Sequence, residues 1–177
     1  LLIVTPYYNK CTDSGLIKHY ESIADHVNLP IIMYSVPSRT GVNIGPTVVK
    51  QLSLHPNIVA IKEASGNISQ ICESSAYIND NFDIYSGNDD QTIPIMSLGG
   101  SGCISTVSNI IPKRYSDMTR NYLSGKIQEA AAEQVAIKPL IDAIFAEVNP
   151  IPVKYALNLM GMCYPEYRLP LCMPQNK

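Results

Sequence analysis

No apolar run in this sequence approaches the length of a membrane span, and its first residues do not resemble a signal peptide. Basic residues are in no excess: the net charge is −2 and the isoelectric point about 5.9, which leaves no electrostatic footprint for nucleic acid. The five cysteines, Cys11, Cys72, Cys103, Cys163 and Cys172, contain neither a CxxC pair nor a His-paired metal spacing. Free thiols in a reducing cytoplasm, and no metal centre, are the expectation. His19, His26 and His55 fall in helical or connecting stretches and read as surface or helix-face residues. No Gly-x-Gly-x-x-Gly joins a strand to a helix, so a dinucleotide-binding sheet is not expected. Gly99-Gly100-Ser101-Gly102 precedes a strand rather than a helix and is no phosphate cradle. An initiating methionine is also missing. The chain opens on Leu1-Leu2-Ile3-Val4, inside what reads as a strand, and the expectation is a piece of a longer protein.

What is present suits the core of one domain: 177 residues, 46% of them hydrophobic. The chain is organised around Asn57-Ile58-Val59-Ala60-Ile61-Lys62-Glu63-Ala64-Ser65-Gly66. A short apolar run bounded by turn residues reads as a parallel strand buried on both faces. Lys62 then stands at its C-terminal end, where α/β folds place their chemistry. An ammonium there loses hydration, which lowers its pKa and frees the neutral amine that can attack a ketone. The plainer reading is a lysine that snorkels to water and pairs with Glu63. Its company elsewhere in the chain decides between the two.

Taken in order, strands are expected over 1–5, 30–34, 57–63, 82–85 and 103–107, alternating with helices or helical turns. Asp13 and Ser14 offer N-caps to a helix carrying Leu16, Ile17, Tyr20, Ile23, Ala24 and Val27 on one face. A short helix spans about 46–54. Asn67 caps another, with Ile68, Ile71, Cys72, Ser75 and Ile78 on a face, and one more runs from about 91 to 98. A long helix over about 126–148 buries Ile137, Leu140, Ile141, Ile144 and Val148 and should kink at Pro139. A last helix covers about 152–160.

This alternation is the pattern of parallel β/α units, and functional-looking residues follow every strand rather than one switch point. The expected class is therefore α/β, a portion of a (β/α)₈ barrel with about five of its eight strands over 1–112, followed by a helical region over 113–177. Five strands cannot close a barrel, so the others should lie before Leu1.

In such a barrel Tyr7, Tyr8, Tyr34, Arg39, Lys62, Gly87 and Ile104 share one rim. A phenol such as Tyr34 can shuttle protons for carbinolamine formation and dehydration. Arg39 can fork onto a carboxylate. Each also has a plain structural reading: mouth-filling tyrosines, a core phenol, an exposed loop arginine. Asp89 and Asp90 look like a metal pair but read better as helix N-caps, since no third ligand accompanies them.

Thr5-Pro6-Tyr7-Tyr8-Asn9, Tyr34-Ser35-Val36-Pro37-Ser38-Arg39-Thr40-Gly41, Ile61-Lys62-Glu63-Ala64-Ser65-Gly66 and Ser86-Gly87-Asn88-Asp89-Asp90 together closely resemble the dihydrodipicolinate synthase and N-acetylneuraminate lyase family of barrels. The resemblance extends to about Pro174, through Asn149-Pro150-Ile151-Pro152-Val153-Lys154 and Arg168-Leu169-Pro170-Leu171. It implies a lyase of lysine and diaminopimelate biosynthesis that condenses pyruvate with L-aspartate-4-semialdehyde. No cofactor is implied beyond the covalent imine between pyruvate and Lys62. Tyr34 matches the tyrosine of the proton relay, and Tyr8 the one that completes it from a neighbouring subunit. Arg39 matches the arginine that receives the semialdehyde carboxylate, Gly87 and Ile104 main-chain positions of the pyruvate pocket, and Tyr7 a residue of a lysine feedback site. The implied assembly is a cytoplasmic homotetramer, a dimer of dimers. Ser35 departs from the asparagine of many members. The implied threonines linking the two tyrosines would precede Leu1, so imine trapping should be weak or absent in this stretch alone. The alternative to a lyase is an inactive fragment, its open barrel edges left to pair with another chain or aggregate. Within the same family a sugar-acid lyase shares the lysine and tyrosine, but it lacks an arginine at the position of Arg39.

Overall fold

The computed structural model describes residues 1–175. They fall into two compact units, Leu1–Ile104 and Ser105–Lys177, the last two residues of the second lying outside the described ones. The sequence reading set its boundary after Pro112, whereas these units part after Ile104.

The first unit is one parallel sheet with strands in chain order: β1 (Leu2–Val4), β2 (Ile31–Ser35), β3 (Ile58–Glu63), β4 (Asp83–Ser86) and β5 (Gly102–Cys103). Between them run α1 (Asp13–Ala24), α2 (Pro37–Thr40), α3 (Pro46–Leu52), α4 (Ile68–Ser75) and α5 (Thr92–Ser97). Strand alternation sends Ile31, Met33, Ile58, Ile61 and Ile84 toward the helices, where they are buried with Leu16, Tyr20, Val48, Val49, Leu52, Ile71 and Ile95. The other face carries Ile32 and Tyr34, Ala60 and Lys62, Asp83 and Tyr85 side by side. No helix of this unit covers it: Leu2 and Val4 are 48% and 37% exposed. Sequential order with helices on one face is the wall of a (β/α) barrel, not a doubly wound sheet with a switch point.

Several elements differ from expectation. Burial on both faces fails, because only one face is covered; the strands are half-buried in alternation rather than buried throughout. The cap of α1 is Thr12, whose hydroxyl accepts the Gly15 N–H, so Asp13 and Ser14 lie one step inside the helix. Asn67 does cap α4, accepting the Gln70 N–H at 3.1 Å, but the buried positions there are Ile71 and Ser74, with Cys72 exposed. The fifth strand shrinks to two residues, since only Gly102 and Cys103 reach β4; Val107 belongs to a 3₁₀ turn.

The second unit is helical: α6 (Pro112–Leu123), α7 (Ile127–Ala136), α8 (Lys138–Ile144) and α9 (Ile151–Leu159). α6 has no counterpart in the sequence reading, its charged surface leaving only Tyr115 and Met118 buried. The expected long helix is two. Pro139 lacks an N–H and crowds the preceding turn, so the chain breaks at Ile137 instead of bending. Ile137, Ile141 and Ile144 point inward, but Val148 is 55% exposed beyond the end of α8. No helix of the described residues is long and apolar enough to cross a membrane.

Candidate active site

Because all five strands run in parallel, their C-terminal ends share one edge, and Lys62 lies in the middle of it. A register shift between Ile31 and Ile32 sets Tyr34 directly opposite Lys62, and Tyr85 flanks Lys62 from β4. A one-residue slip would send every side chain of the strand to the other face, so this register is what makes the pair. Lys62 Nζ stands 4.2 Å from the centroid of the Tyr34 ring. At that distance the ring face supports a cation, or caps the amine when it is neutral.

Burial pushes the Lys62 pKa below the ordinary lysine value, against the opposing pull of Cys103 and Asp89. Burial pushes the Tyr34 phenol upward, and the Arg39 guanidinium offsets part of that rise. The two shifts go in complementary directions: the amine sheds its proton more readily and the phenol keeps its own. A nucleophilic amine beside a protonated phenol is the pairing that addition to a ketone and loss of water require.

Arg39 is exposed on the single-turn α2. That turn is pinned from below by Thr5 and Thr40. Thr5 Oγ1 donates to Thr40 Oγ1 at 2.9 Å, and Thr40 Oγ1 donates to the Val42 carbonyl at 3.0 Å. Gly87 and Ile104 sit at the adjacent strand ends. Their N–H groups extend the sheet, Gly87 N donating to the Glu63 carbonyl at 2.7 Å and Ile104 N to the Ser86 carbonyl at 2.9 Å.

Tyr7 and Tyr8 follow β1 on the same edge but are not gathered onto Lys62. They are 72% and 89% exposed. Tyr8 is the centre of a three-residue turn, with φ 70° and the Asn9 N–H donating to the Tyr7 carbonyl at 2.9 Å. A bulky residue at positive φ is strained, and such strain clusters at functional positions.

Asp89 and Asp90 open a 3₁₀ turn, Asp89–Gln91, just before α5. The cap of the 3₁₀ turn that they begin is Asn88, and it makes no side-chain cap bond. Asp89 is buried within electrostatic reach of Lys62, whereas Asp90 is exposed. Among the described residues no cluster of His, Cys, Asp and Glu could hold a metal.

Sequence reasoning missed Tyr85, Asp89, Cys103 and the Thr5–Thr40 pair as neighbours of the site. The first was within reach: alternation on β4 places Tyr85 on the face of Lys62 once the register is known. The others depend on loop paths that no local pattern specifies. A cavity of about 700 Å³ also opens along the uncovered face, lined by Ile32, Ala60, Asp83 and Tyr85 and by loops at the opposite strand ends. Its lining omits Lys62, Tyr34 and Arg39, so it is uncovered sheet and not the chemical centre.

The model of the dihydrodipicolinate synthetase family matches residues 1–177. The chain is 54% identical over 173 residues to the 4-hydroxy-tetrahydrodipicolinate synthase of Clostridium tetani, covering 97% of this chain and 59% of that protein. It is also 54% identical to the synthase of the same name from Caldicellulosiruptor saccharolyticus, covering 100% of this chain and 60% of the relative. The crystal structure of dihydrodipicolinate synthase from Thermotoga maritima superposes with a TM-score of 0.96 at 42% identity, over 99% of this chain and 61% of that one. The chain thus spans about 60% of the length of the curated relatives it matches, and its sheet is part of their barrel.

Proposed function

The chain belongs to the dihydrodipicolinate synthetase family, and from that footing we propose that it carries the imine-forming half of a pyruvate lyase. The carrying observation is the half-buried Lys62 amine 4.2 Å from the Tyr34 ring at the C-terminal edge of the sheet. In this reading neutral Lys62 Nζ adds to the keto carbon of pyruvate, a proton passes from Tyr34 to the carbinolamine oxygen, and water leaves to give the imine. Loss of a methyl proton yields an enamine, whose carbon attacks the aldehyde of L-aspartate-4-semialdehyde. Water then releases Lys62, and ring closure of the condensed product gives 4-hydroxy-tetrahydrodipicolinate. No cofactor enters these steps.

Arg39 receives the semialdehyde carboxylate, and the main chain at Gly87 and Ile104 lines the pyruvate pocket. Tyr8, held outward by its strained turn, completes the proton relay of a neighbouring subunit in a homotetramer. Tyr7 belongs to a lysine feedback site. The setting is lysine biosynthesis in the cytoplasm. A sugar-acid lyase is the competing reading, and Arg39 argues against it.

Borohydride reduction of the native protein with pyruvate tests the first step. We expect one pyruvate-derived adduct, located by peptide mass on Lys62 and lost in Lys62→Ala. An adduct on another lysine, or none, would overturn the reading. Supplying aspartate semialdehyde or N-acetylmannosamine with pyruvate separates the two lyases, and product from the sugar alone would reverse the choice.

A further inference from the structure

Directly behind Lys62 and Tyr34, on the helix-facing side of the sheet, lies a second registered pair, Glu63 and Ser35. Glu63 is buried, 1% exposed, yet it pairs with no lysine or arginine among the salt bridges of the described residues. Its two oxygens are both used. Oε1 accepts the Ser65 N–H at 2.6 Å, closing the turn after β3, and Oε2 accepts the Gln70 amide at 3.4 Å. Gln70 Nε2 also donates to the Ile44 carbonyl at 3.3 Å, while Gln70 Oε1 accepts from Asn43 Nδ2 at 2.6 Å. Ser35 Oγ donates to Asn43 Oδ1 at 3.3 Å and accepts the Ile44 N–H at 3.2 Å. The chain of bonds begins beside Lys62 and ends beside Tyr34.

Burial pushes the Glu63 pKa up, and the Ser65 and Gln70 bonds pull it back. Whichever way it titrates, the Ile44 carbonyl can only accept and the Ser65 N–H only donate, and these set the direction of the other bonds in the chain. Gln70 must turn its NH₂ toward Glu63 and Ile44, so its oxygen accepts from Asn43 Nδ2; the Asn43 oxygen then takes both the Ser35 hydroxyl and, at 3.3 Å, the Gln70 NH₂. We propose that Glu63 is the positioning residue of the site, locking the ends of β2 and β3 from behind so that the Lys62 amine is held against the Tyr34 ring. Successive residues of a strand point to opposite faces, so Glu63 touches no substrate and acts through the backbone that it shares with Lys62. A glutamine at position 63 keeps the shape but adds an NH₂ opposite the NH₂ of Gln70. Turning Gln70 over relieves that clash only by aiming its oxygen at the Ile44 carbonyl.

The proposal rests on the imine chemistry assigned to Lys62, and two readouts separate their failures. The first is the rate of borohydride-trapped pyruvate adduct. The second needs no pyruvate: the pH of half-maximal acetylation of Lys62, followed by peptide mass. In Glu63→Gln of the native protein we expect roughly a tenfold slower adduct, as a small displacement of a reacting group produces. We also expect the acetylation midpoint to move upward as Lys62 regains water. The exposed Asn43→Ala, which cuts the chain halfway, should move both readouts in the same direction by less, and it decides the matter if Glu63→Gln does not fold. Unchanged adduct rate and midpoint in the folded variants, or lower thermal stability alone, would overturn the proposal. Absence of any adduct in the parent counts against the imine reading, while the acetylation midpoints still decide the role of Glu63.

Discussion

Gly87 lies so close behind Lys62 that a Cβ placed on it would stand 3.1 Å from Lys62 Cε, 2.8 Å from the Ala64 Cβ and 3.2 Å from the Glu63 carbonyl oxygen. The glycine is there for space, since its neighbours on three sides belong to the strand end that carries the amine. Gly87→Ala should therefore cost about 1–3 kcal/mol of stability through overpacking. Of the three neighbours only the lysine stem can swing aside, so the pyruvate adduct should slow more than stability falls. Urea denaturation and adduct trapping on the same preparation check both.

The pH dependence of trapping follows from the burial of Lys62. Its pKa is pushed down, so the neutral fraction, and with it the adduct rate, rises as pH climbs through a midpoint below the ordinary lysine range and is flat above it. Stability moves in the same sense. The unfolded chain holds the lysine proton more tightly than the folded one, so this group's penalty on folding is absent above the ordinary lysine pKa. The penalty grows as pH falls toward the lowered pKa and is constant below it. Lys62→Met should remove that slope from the stability–pH curve.

Tyr34→Phe keeps the ring face over Lys62 and removes only the hydroxyl. The adduct should then form 10²–10⁴-fold more slowly, the roughly expected size of a general-acid contribution. The acetylation midpoint of Lys62 should stay close to that of the parent, because the apolar ring still shields it. Stopped-time trapping at fixed pH measures the first and labelling against pH the second.

Tyr20→Phe provides the contrast. Tyr20 is fully buried, and its hydroxyl donates to the Ile3 carbonyl at 2.9 Å, tying α1 to β1 on the helix side of the sheet. Its loss should cost about 1 kcal/mol, the net worth of such a bond. The rate of adduct per folded molecule should not change. Equilibrium unfolding and trapping read the two together.

The strands that carry chemistry were legible because their signals are local. Ile58–Ile61 is an apolar run ending in a lysine, and Tyr34 and Gly87 close equally short runs before turn residues. The α6 helix escaped because its mean hydropathy is low and its apolar positions few. The two-residue β5 was read too long because Ile104 and Val107 are apolar, yet pairing with β4 stops after Ser86 and Cys103. Asp89 is a related case: an acid after Gly-Asn reads locally as a cap, and only the fold shows that it is also buried near an amine.

The sequence alone determined which residue types stand at the strand ends, the parallel α/β alternation, and a lysine placed where desolvation can act on it. Tertiary structure decided the rest: that Lys62 stands between Tyr34 and Tyr85 with its amine over the Tyr34 ring, that Tyr7 and Tyr8 are left exposed, and that Glu63 lies behind the pair. The reason is register. Hydrophobic periodicity says which face a side chain takes, but which residue stands beside it on the next strand depends on backbone pairing, here shifted at Ile31 and Ile32, between segments far apart in the chain.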